Sequence, residues 1–313
     1  MTALIVVPDD FPSAFTGSAA EAQLRAIGEV SIHTERGAEN ETELIRRIGT
    51  ARAVINIRSY SKFTARVLDA CPNLRFISIW GTGTDNVDLD ACRARGVAVA
   101  NTPGVNARAV AEHAIALMLS VTRGIPTMDS AMRAGQWPRR LLTELDGTTL
   151  GLVGLGAIGT RVAEIARAFD MKLLVSTWGP DNGRAAAVGA RHVPLDQLLR
   201  SADIVSLHMR LTAETTGILG HAQLALMKPS AVLINTARAA LVDRDALLSM
   251  LQKGAIAGAG LDVFHQEPLA PDDPLLSLPN VVLTPHDSGM TARVIELGLK
   301  RAVEHVENFL SNG

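Results

Sequence analysis

The chain of 313 residues has little cysteine, few aromatic side chains and no excess of either charge. Its two cysteines, Cys71 and Cys92, supply neither a disulfide framework nor a cysteine metal cluster, and they read as small buried hydrophobes in a reducing compartment. Thirty Lys and Arg against 32 Asp and Glu leave a net charge of −2, so no global positive field exists to gather nucleic acid or anionic lipid. No apolar run approaches the roughly 18 uninterrupted residues that a membrane helix needs. The start, Met1 to Pro8, lacks a basic segment and meets Asp9 and Asp10 after a short apolar run; it reads as a first strand and not as a signal peptide. These absences argue against nucleic-acid and membrane partners and point to the cytoplasm.

What the chain does have is core material: 47% hydrophobic and 20% charged residues exclude wholesale disorder. At roughly 100–200 residues per domain, the length suggests about two domains. Short β-branched runs alternate with helix-period segments. Strands are expected at Leu4–Val7, Ala53–Ile57, Phe76–Ile79 and Val97–Ala100, with helices at Ala20–Ile27 and Lys62–Asp69. A long apolar-periodic helix over Asn106–Val121 reads as a bridge between lobes. After it come six strands near Thr149–Val153, Leu173–Val175, Ile204–Leu207, Val232–Asn235, Gly258–Val263 and Val281–Thr284, with helices between several of them. Near-continuous hydrophobic strands alternating with helices predict parallel sheets covered on both faces. Gln266–Asn280 carries four prolines and is expected to be a loop. The amphipathic pattern from Ile295 to Leu310 predicts a last helix, free to return to the first lobe.

The most informative short string is Gly154-Leu155-Gly156-Ala157-Ile158-Gly159, a G-x-G-x-x-G directly after a strand and at the start of a helix. The first glycine permits the tight turn, the second lets a pyrophosphate approach the backbone, and the third lets helix and strand pack closely. A dinucleotide is the expected ligand. About twenty residues on, where an NAD site usually offers Asp or Glu to the ribose, the chain reads Val175-Ser176-Thr177-Trp178 with no acid. Ser176 and Thr177 suit a 2′-phosphate, with Arg184 as counter-charge, so NADP or dual NAD/NADP use is favoured; Asp181 is the alternative acceptor that favours NAD.

Three further strings lie at strand ends: Asn235-Thr236-Ala237-Arg238, Leu261-Asp262-Val263-Phe264-His265-Gln266-Glu267-Pro268 and Leu283-Thr284-Pro285-His286. With Gly81-Thr82-Gly83-Thr84-Asp85-Asn86-Val87-Asp88, Asn101-Thr102-Pro103-Gly104, Val110-Ala111-Glu112 and Ser206-Leu207-His208, the chain resembles the D-isomer-specific 2-hydroxyacid dehydrogenases over nearly its whole length. Taken singly, an arginine after a strand is a common surface ion-pair residue and a glutamate before proline a solvated loop residue; several ordered motifs together are far more specific.

The resemblance implies roles. Arg238 clamps the substrate carboxylate and polarises its 2-oxo group, His286 is the general acid, and Glu267 orients His286. The residue types fit: a guanidinium grips a planar carboxylate through two hydrogen bonds, and an imidazole exchanges protons near neutral pH. Substrate contacts are expected at Gly81, Thr82, Gly83, Arg238 and His286, and more weakly at Asn106. Cofactor contacts are expected at Gly154, Gly156, Ala157, Ile158, Gly159, Ser176, Thr177, His208, Ala237 and Asp262, the last holding the nicotinamide carboxamide. No metal is expected. His113 reads as helix packing, and His33, His192, His221 and His305 as peripheral. Trp137 sits where some relatives send an aromatic residue across a dimer interface, and a homodimer is implied by resemblance. Arg210, in place of the usual proline, and Asp287, after His286, depart from the family pattern and leave cofactor choice and substrate identity open.

The expected architecture is therefore α/β, with two Rossmann-like or flavodoxin-like lobes of doubly wound parallel sheet and an active-site cleft between them. Residues 1–100 plus 287–313 make the substrate domain, and 101–286 the dinucleotide domain. The expected reaction is reversible NAD(P)H-dependent reduction of a small 2-oxo acid to a D-2-hydroxy acid. The alternative is a dinucleotide-sensing, corepressor-like protein without turnover.

Overall fold

In the computed structural model, residues 3–181 and 183–312 are described. Two compact units divide the chain: one runs to Asn106 and resumes at Met290, and the other is Ala107–Gly289.

The first unit holds a five-stranded sheet of β1 (Leu4–Val7), β2 (Glu29–Ile32), β3 (Ala53–Asn56), β4 (Phe76–Ile79) and β5 (Ala98–Asn101). All pairs are parallel, in the order β2-β1-β3-β4-β5, which is the flavodoxin-like order. Alternate strand residues point to opposite faces, so two cores form. Val6, Val54, Ile77 and Ile79 enter one, and Ile5, Val7, Ala53, Ile55 and Phe76 the other. The second of these cores is closed by the final helix, Ala292–Asn312, through Leu299, Ala302, Val303 and Val306. Ser78, buried in β4, donates from Oγ to the Ala302 carbonyl at 3.0 Å.

The second unit holds β6 (Thr149–Val153), β7 (Lys172–Ser176), β8 (Arg191–His192), β9 (Ile204–Leu207), β10 (Val232–Asn235), β11 (Gly258–Leu261) and β12 (Val281–Leu283). Their order is β12-β11-β10-β9-β6-β7-β8, again all parallel. Numbered from β6, this is the Rossmann order 3-2-1-4-5-6 extended by one strand. The same period of two splits the strands between cores: Leu174, Val205, Leu207 and Leu233 face one, and Leu173, Val175, Ile204, Val232 and Ile234 the other. Each such side chain removed from water stabilises the fold by roughly 1.5–3 kcal/mol. The long helix is Ala107–Arg123. It starts at the unit boundary and packs on the second unit's sheet, with Ala111, Ala114, Leu117 and Met118 buried there.

Several elements differ from expectation. The strands β2 and β8 were not expected, so the second sheet has seven strands and not six. Both lie at sheet edges, and their residues are partly or fully exposed, so neither carries a continuous apolar signal. Helices Glu41–Ile48, Leu89–Ala94 and Ile125–Arg133 also lie outside the expected elements. Ile125–Arg133 buries none of its residues, which removes the periodic apolar stripe. Within the proline-rich loop, Pro274–Ser277 forms one 3₁₀ turn capped by Asp273. No helix among the described residues is long and apolar enough to cross a membrane.

Gly298, in the final helix, is buried against the indole of Trp80, and an added Cβ would collide with that ring. Overpacking of this kind costs about 1–3 kcal/mol. Gly298→Ala is expected to lower the urea midpoint by a corresponding amount with the slope unchanged; an unaltered midpoint contradicts the packing described.

Candidate active site

The strand β6 stops at Val153, where the chain turns sharply beside the end of β9. Gly154 has φ +101°, and a Cβ there would strike the His208 carbonyl oxygen. A Cβ on Gly159 would likewise strike the Gly154 carbonyl, so the helix Ala157–Arg167 closes on the turn only through glycine. Gly156 caps that helix without a side-chain hydrogen bond, and space lies open beside it, with nothing within 4 Å of a built Cβ. The backbone N–H groups of the first helical turn, at Ala157, Ile158 and Gly159, thus face a small-residue cradle of the kind that fits a pyrophosphate. His208, at the end of β9, borders this turn. Its Nε2 lies 2.8 Å from Ser206 Oγ, and its Nδ1 is buried without a hydrogen-bond partner among the described residues. Burial pushes the imidazole down to about 3.

At the end of β7, Ser176 is buried while Thr177 is partly exposed. Thr177 Oγ1 donates to the Gly179 carbonyl at 2.7 Å and lies 3.2 Å from His192 Nε2. Since the hydroxyl proton goes to Gly179, His192 is the donor in that second contact. The Arg184 guanidinium folds over the same turn, onto the carbonyls of Asp181 and Pro180 at 3.0 and 3.1 Å. Asp181 is engaged locally, its Oδ1 accepting the Ala185 N–H at 2.9 Å. His192, read from sequence as peripheral, enters this cluster because β8 pairs with β7 and sets it opposite Val175.

The turn after β10 is shaped by Asn235, which is 1% exposed. Its Oδ1 accepts the Ala237 N–H at 3.0 Å and its Nδ2 donates to the Arg238 carbonyl at 3.0 Å. Arg238 stands half-buried at the end of that turn, with Nη1 on the Ala237 carbonyl at 2.9 Å. Glu267 and His286 meet directly: Nδ1 of His286 lies 2.8 Å from Oε2 of Glu267. The other carboxylate oxygen, Oε1, accepts the Phe264 N–H at 3.0 Å. Burial pushes the Glu267 carboxyl up, but the hydrogen bond and charge of His286, the Phe264 N–H and the Arg238 guanidinium outweigh it and hold the group below its ordinary value. The carboxylate occupies Nδ1, so Nε2 is the ring nitrogen outside this contact. His286 has φ +55°, a left-handed conformation uncommon outside glycine.

Asp262 is fully buried, and its carboxylate accepts from Thr284 Oγ1, Asp287 N and Ser288 N. His113 is not mere helix packing, because its Nε2 lies 2.9 Å from Thr284 Oγ1. No short motif marks that contact, since 171 positions separate the two residues. His265 turns away, with Nε2 3.1 Å from the Val242 carbonyl.

In the first unit, Gly81 follows β4 by two residues and has φ +148°, again a glycine conformation. Its N–H is donated to Thr102 Oγ1 at 2.8 Å, while Asn101 Nδ2 donates to the Thr82 carbonyl at 2.7 Å and Thr82 Oγ1 meets Asn106 Oδ1 at 3.3 Å. Those bonds preshape the Gly81-Thr82-Gly83 turn.

The family model for the NAD binding domain of D-isomer specific 2-hydroxyacid dehydrogenases matches residues 115–288. A glyoxylate reductase of Thermofilum pendens is 40% identical over 295 residues, covering 90% of this chain and 86% of that protein. A D-3-phosphoglycerate dehydrogenase of Archaeoglobus fulgidus is 40% identical over 264 residues, covering 84% of this chain and 50% of that protein. The chain thus spans about half the length of that relative. Among solved structures, the NADPH-dependent glyoxylate/hydroxypyruvate reductase of Sinorhizobium meliloti, in complex with NADP and malonate, matches with a TM-score of 0.86 at 31% identity, over 100% of this chain and 95% of that one.

The His208 ring, with its Nδ1 buried, makes a pH prediction. Its folded value, about 3, lies below the ordinary imidazole value, so folding disfavours its protonation. The stability it confers is complete above its unfolded pKa of about 6.5 and is lost as pH falls from there toward the folded value, at up to about 1.4 kcal/mol per pH unit. Urea midpoints measured between about pH 7 and pH 4.5 are expected to fall more steeply for the wild type than for His208→Gln. Parallel curves contradict the burial of Nδ1 as the cause.

Proposed function

The chain belongs to the D-isomer specific 2-hydroxyacid dehydrogenases, and on that premise we propose that it is an NAD(P)H-dependent reductase of a small 2-oxo acid, with Arg238, Glu267 and His286 carrying the chemistry. The observation that supports this most directly is the 2.8 Å contact of Glu267 with His286, in which the carboxylate also feels the Arg238 charge. Arg238 binds the substrate carboxylate and draws electron density from the 2-oxo group. The cofactor, when bound, supplies hydride to C2. His286 Nε2 gives its proton to the carbonyl oxygen as negative charge develops there, and Glu267 stabilises the imidazolium from Nδ1. The product is a D-2-hydroxy acid, and in oxidation His286 takes the hydroxyl proton back. The sensor reading is set aside: relatives at 40% identity are named as reductases or dehydrogenases, and the proton-transfer pair is intact.

The glycine cradle holds the pyrophosphate on the N–H groups of Ala157, Ile158 and Gly159, with Ala237 and His208 bordering the rest of the dinucleotide. NADP(H) is the favoured form. Thr177, His192 and Arg184 surround the end of β7 with a hydroxyl, an imidazole and a guanidinium, and Asp181 is committed to capping the next turn. The S. meliloti relative was solved with NADP. Small 2-oxo acids such as glyoxylate and hydroxypyruvate are the favoured substrates by relation to the reductases. The free, buried Cys71 and Cys92 support a cytoplasmic setting. A homodimer is favoured by Ile125, Met132, Trp137, Leu141 and Leu142, large hydrophobics exposed within one short stretch.

His286→Asn is expected to lower kcat by about 10²–10⁴ and Glu267→Gln by about 10–10², each with NADPH affinity nearly unchanged. Arg238→Leu is expected to raise KM for the 2-oxo acid and lower kcat, with poor rescue by lysine. Cofactor oxidation followed with glyoxylate and hydroxypyruvate checks these effects; undiminished turnover in His286→Asn removes its assignment. In the same assay kcat/KM is expected to favour NADPH or to be similar for both cofactors, and Thr177→Asp to shift the ratio toward NADH. A preference of the wild type for NADH above about a hundredfold overturns the cofactor reading.

A further inference from the structure

The register of the second sheet pairs Leu261 with Leu283, which brings the next residues, Asp262 and Thr284, side by side at the carboxyl edge. The Asp262 side chain has no exposure, so the protein itself must supply partners for its oxygens. It does so with the loop that carries His286. Oδ1 accepts from Thr284 Oγ1 at 2.7 Å and from Asp287 N at 3.1 Å, and Oδ2 accepts from Ser288 N at 3.2 Å. Thr284 has one hydroxyl proton, and it goes to Asp262; its oxygen therefore accepts from His113 Nε2 at 2.9 Å, which fixes the proton on that nitrogen. His113 belongs to the helix Ala107–Arg123, so the chain of bonds ties that helix to the loop. Asp287 closes the group, with a carboxylate oxygen, the Asp262 carboxylate and a His113 nitrogen all within 4.8 Å of one another.

The loop is thus held on both sides of His286, through the Thr284 side chain before it and the Asp287 and Ser288 N–H groups after it. Between these grips the backbone of His286 sits at φ +55°, a conformation that relaxes readily unless its surroundings determine it. We propose that His113, Thr284 and Asp262 form a latch of positioning residues that keeps His286 in the conformation from which Nδ1 meets Glu267. They act through the loop and do not touch the substrate. The inference rests on His286 being the proton donor, and its test has one arm that does not depend on that assignment.

Thr284→Val removes the hydroxyl at constant shape, and His113→Leu removes the ring donor. Each is expected to lower kcat by about tenfold to a hundredfold, as a misaimed acid does, with KM for the 2-oxo acid and Kd for NADPH within about threefold of wild type. Thr284→Ser keeps the hydroxyl and His113→Gln offers an amide donor; both are expected to recover kcat to within about threefold of wild type. In the second arm, amide hydrogen exchange of the full chain is expected to speed up at Asp287 and Ser288 in Thr284→Val while the β6 and β9 amides keep their protection. Loss of kcat only in proportion to the folded fraction, absence of rescue by serine, or unchanged protection at Asp287 and Ser288 each overturns the latch. Full turnover in His286→Asn instead removes the proton donor, and the exchange arm then still decides whether the latch holds the loop.

Discussion

Parallel strands joined by hydrogen bonds of one direction end together, and that constraint organises the second unit. One row of its register runs Ser176, Val153, Leu207, Asn235, Leu261 and Leu283 across six neighbouring strands. The residue after each member leaves the ladder at the same edge: Thr177, Gly154, His208, Thr236, Asp262 and Thr284. Arg238 and His286 follow two residues later on their own turns. Strands buried on both faces supply a rigid base, and the polar residues are confined to the ends where backbone pairing stops. Chemistry at this edge needs no long-range folding of loops, because the ladder brings the starting points of all six turns into line.

Charge is handled differently along that edge according to what each turn does. At the glycine turn no side chain is present to compete with an anion, and the backbone supplies the donors. At the end of β7 the groups are a hydroxyl, an imidazole and a guanidinium, engaged with one another and with the carbonyls of their own turn. Around His286 the arrangement is reversed: a carboxylate kept ionised by its neighbours stands behind the imidazole. The hydroxyl, imidazole and guanidinium groups after β7 and the carboxylate–imidazole pair around His286 thus stand at separate turns of a single sheet edge.

Much of this was legible in the primary structure where the signal is local. Gly154, Gly156 and Gly159 are close enough in the chain that their spacing alone encodes a turn, and the structure gives Gly154 and Gly159 a steric reason while leaving open space beside Gly156. The central strands were legible because burial on both faces demands uninterrupted apolar runs. Edge strands were not: Glu29-Val30-Ser31-Ile32 is amphipathic, and Arg191-His192 is only two residues of exposed pairing. His192 and His113 illustrate the same limit for side chains. Each looked peripheral or structural until strand pairing placed the first beside Thr177, and helix packing placed the second beside Thr284.

The amino-acid sequence by itself determined the local chemistry: which turns had to be glycine, which segments had to be buried, and which residue types stood after each strand, because these follow from sterics and hydrophobic period within a few residues. Tertiary structure decided partnership. A contact across 171 residues, such as that of His113 with Thr284, or across 19, such as that of Glu267 with His286, has no local cause. It exists because sheet register and helix packing set the ends of distant segments within hydrogen-bonding distance, and only there do a buried carboxylate and a left-handed histidine find the groups that hold them.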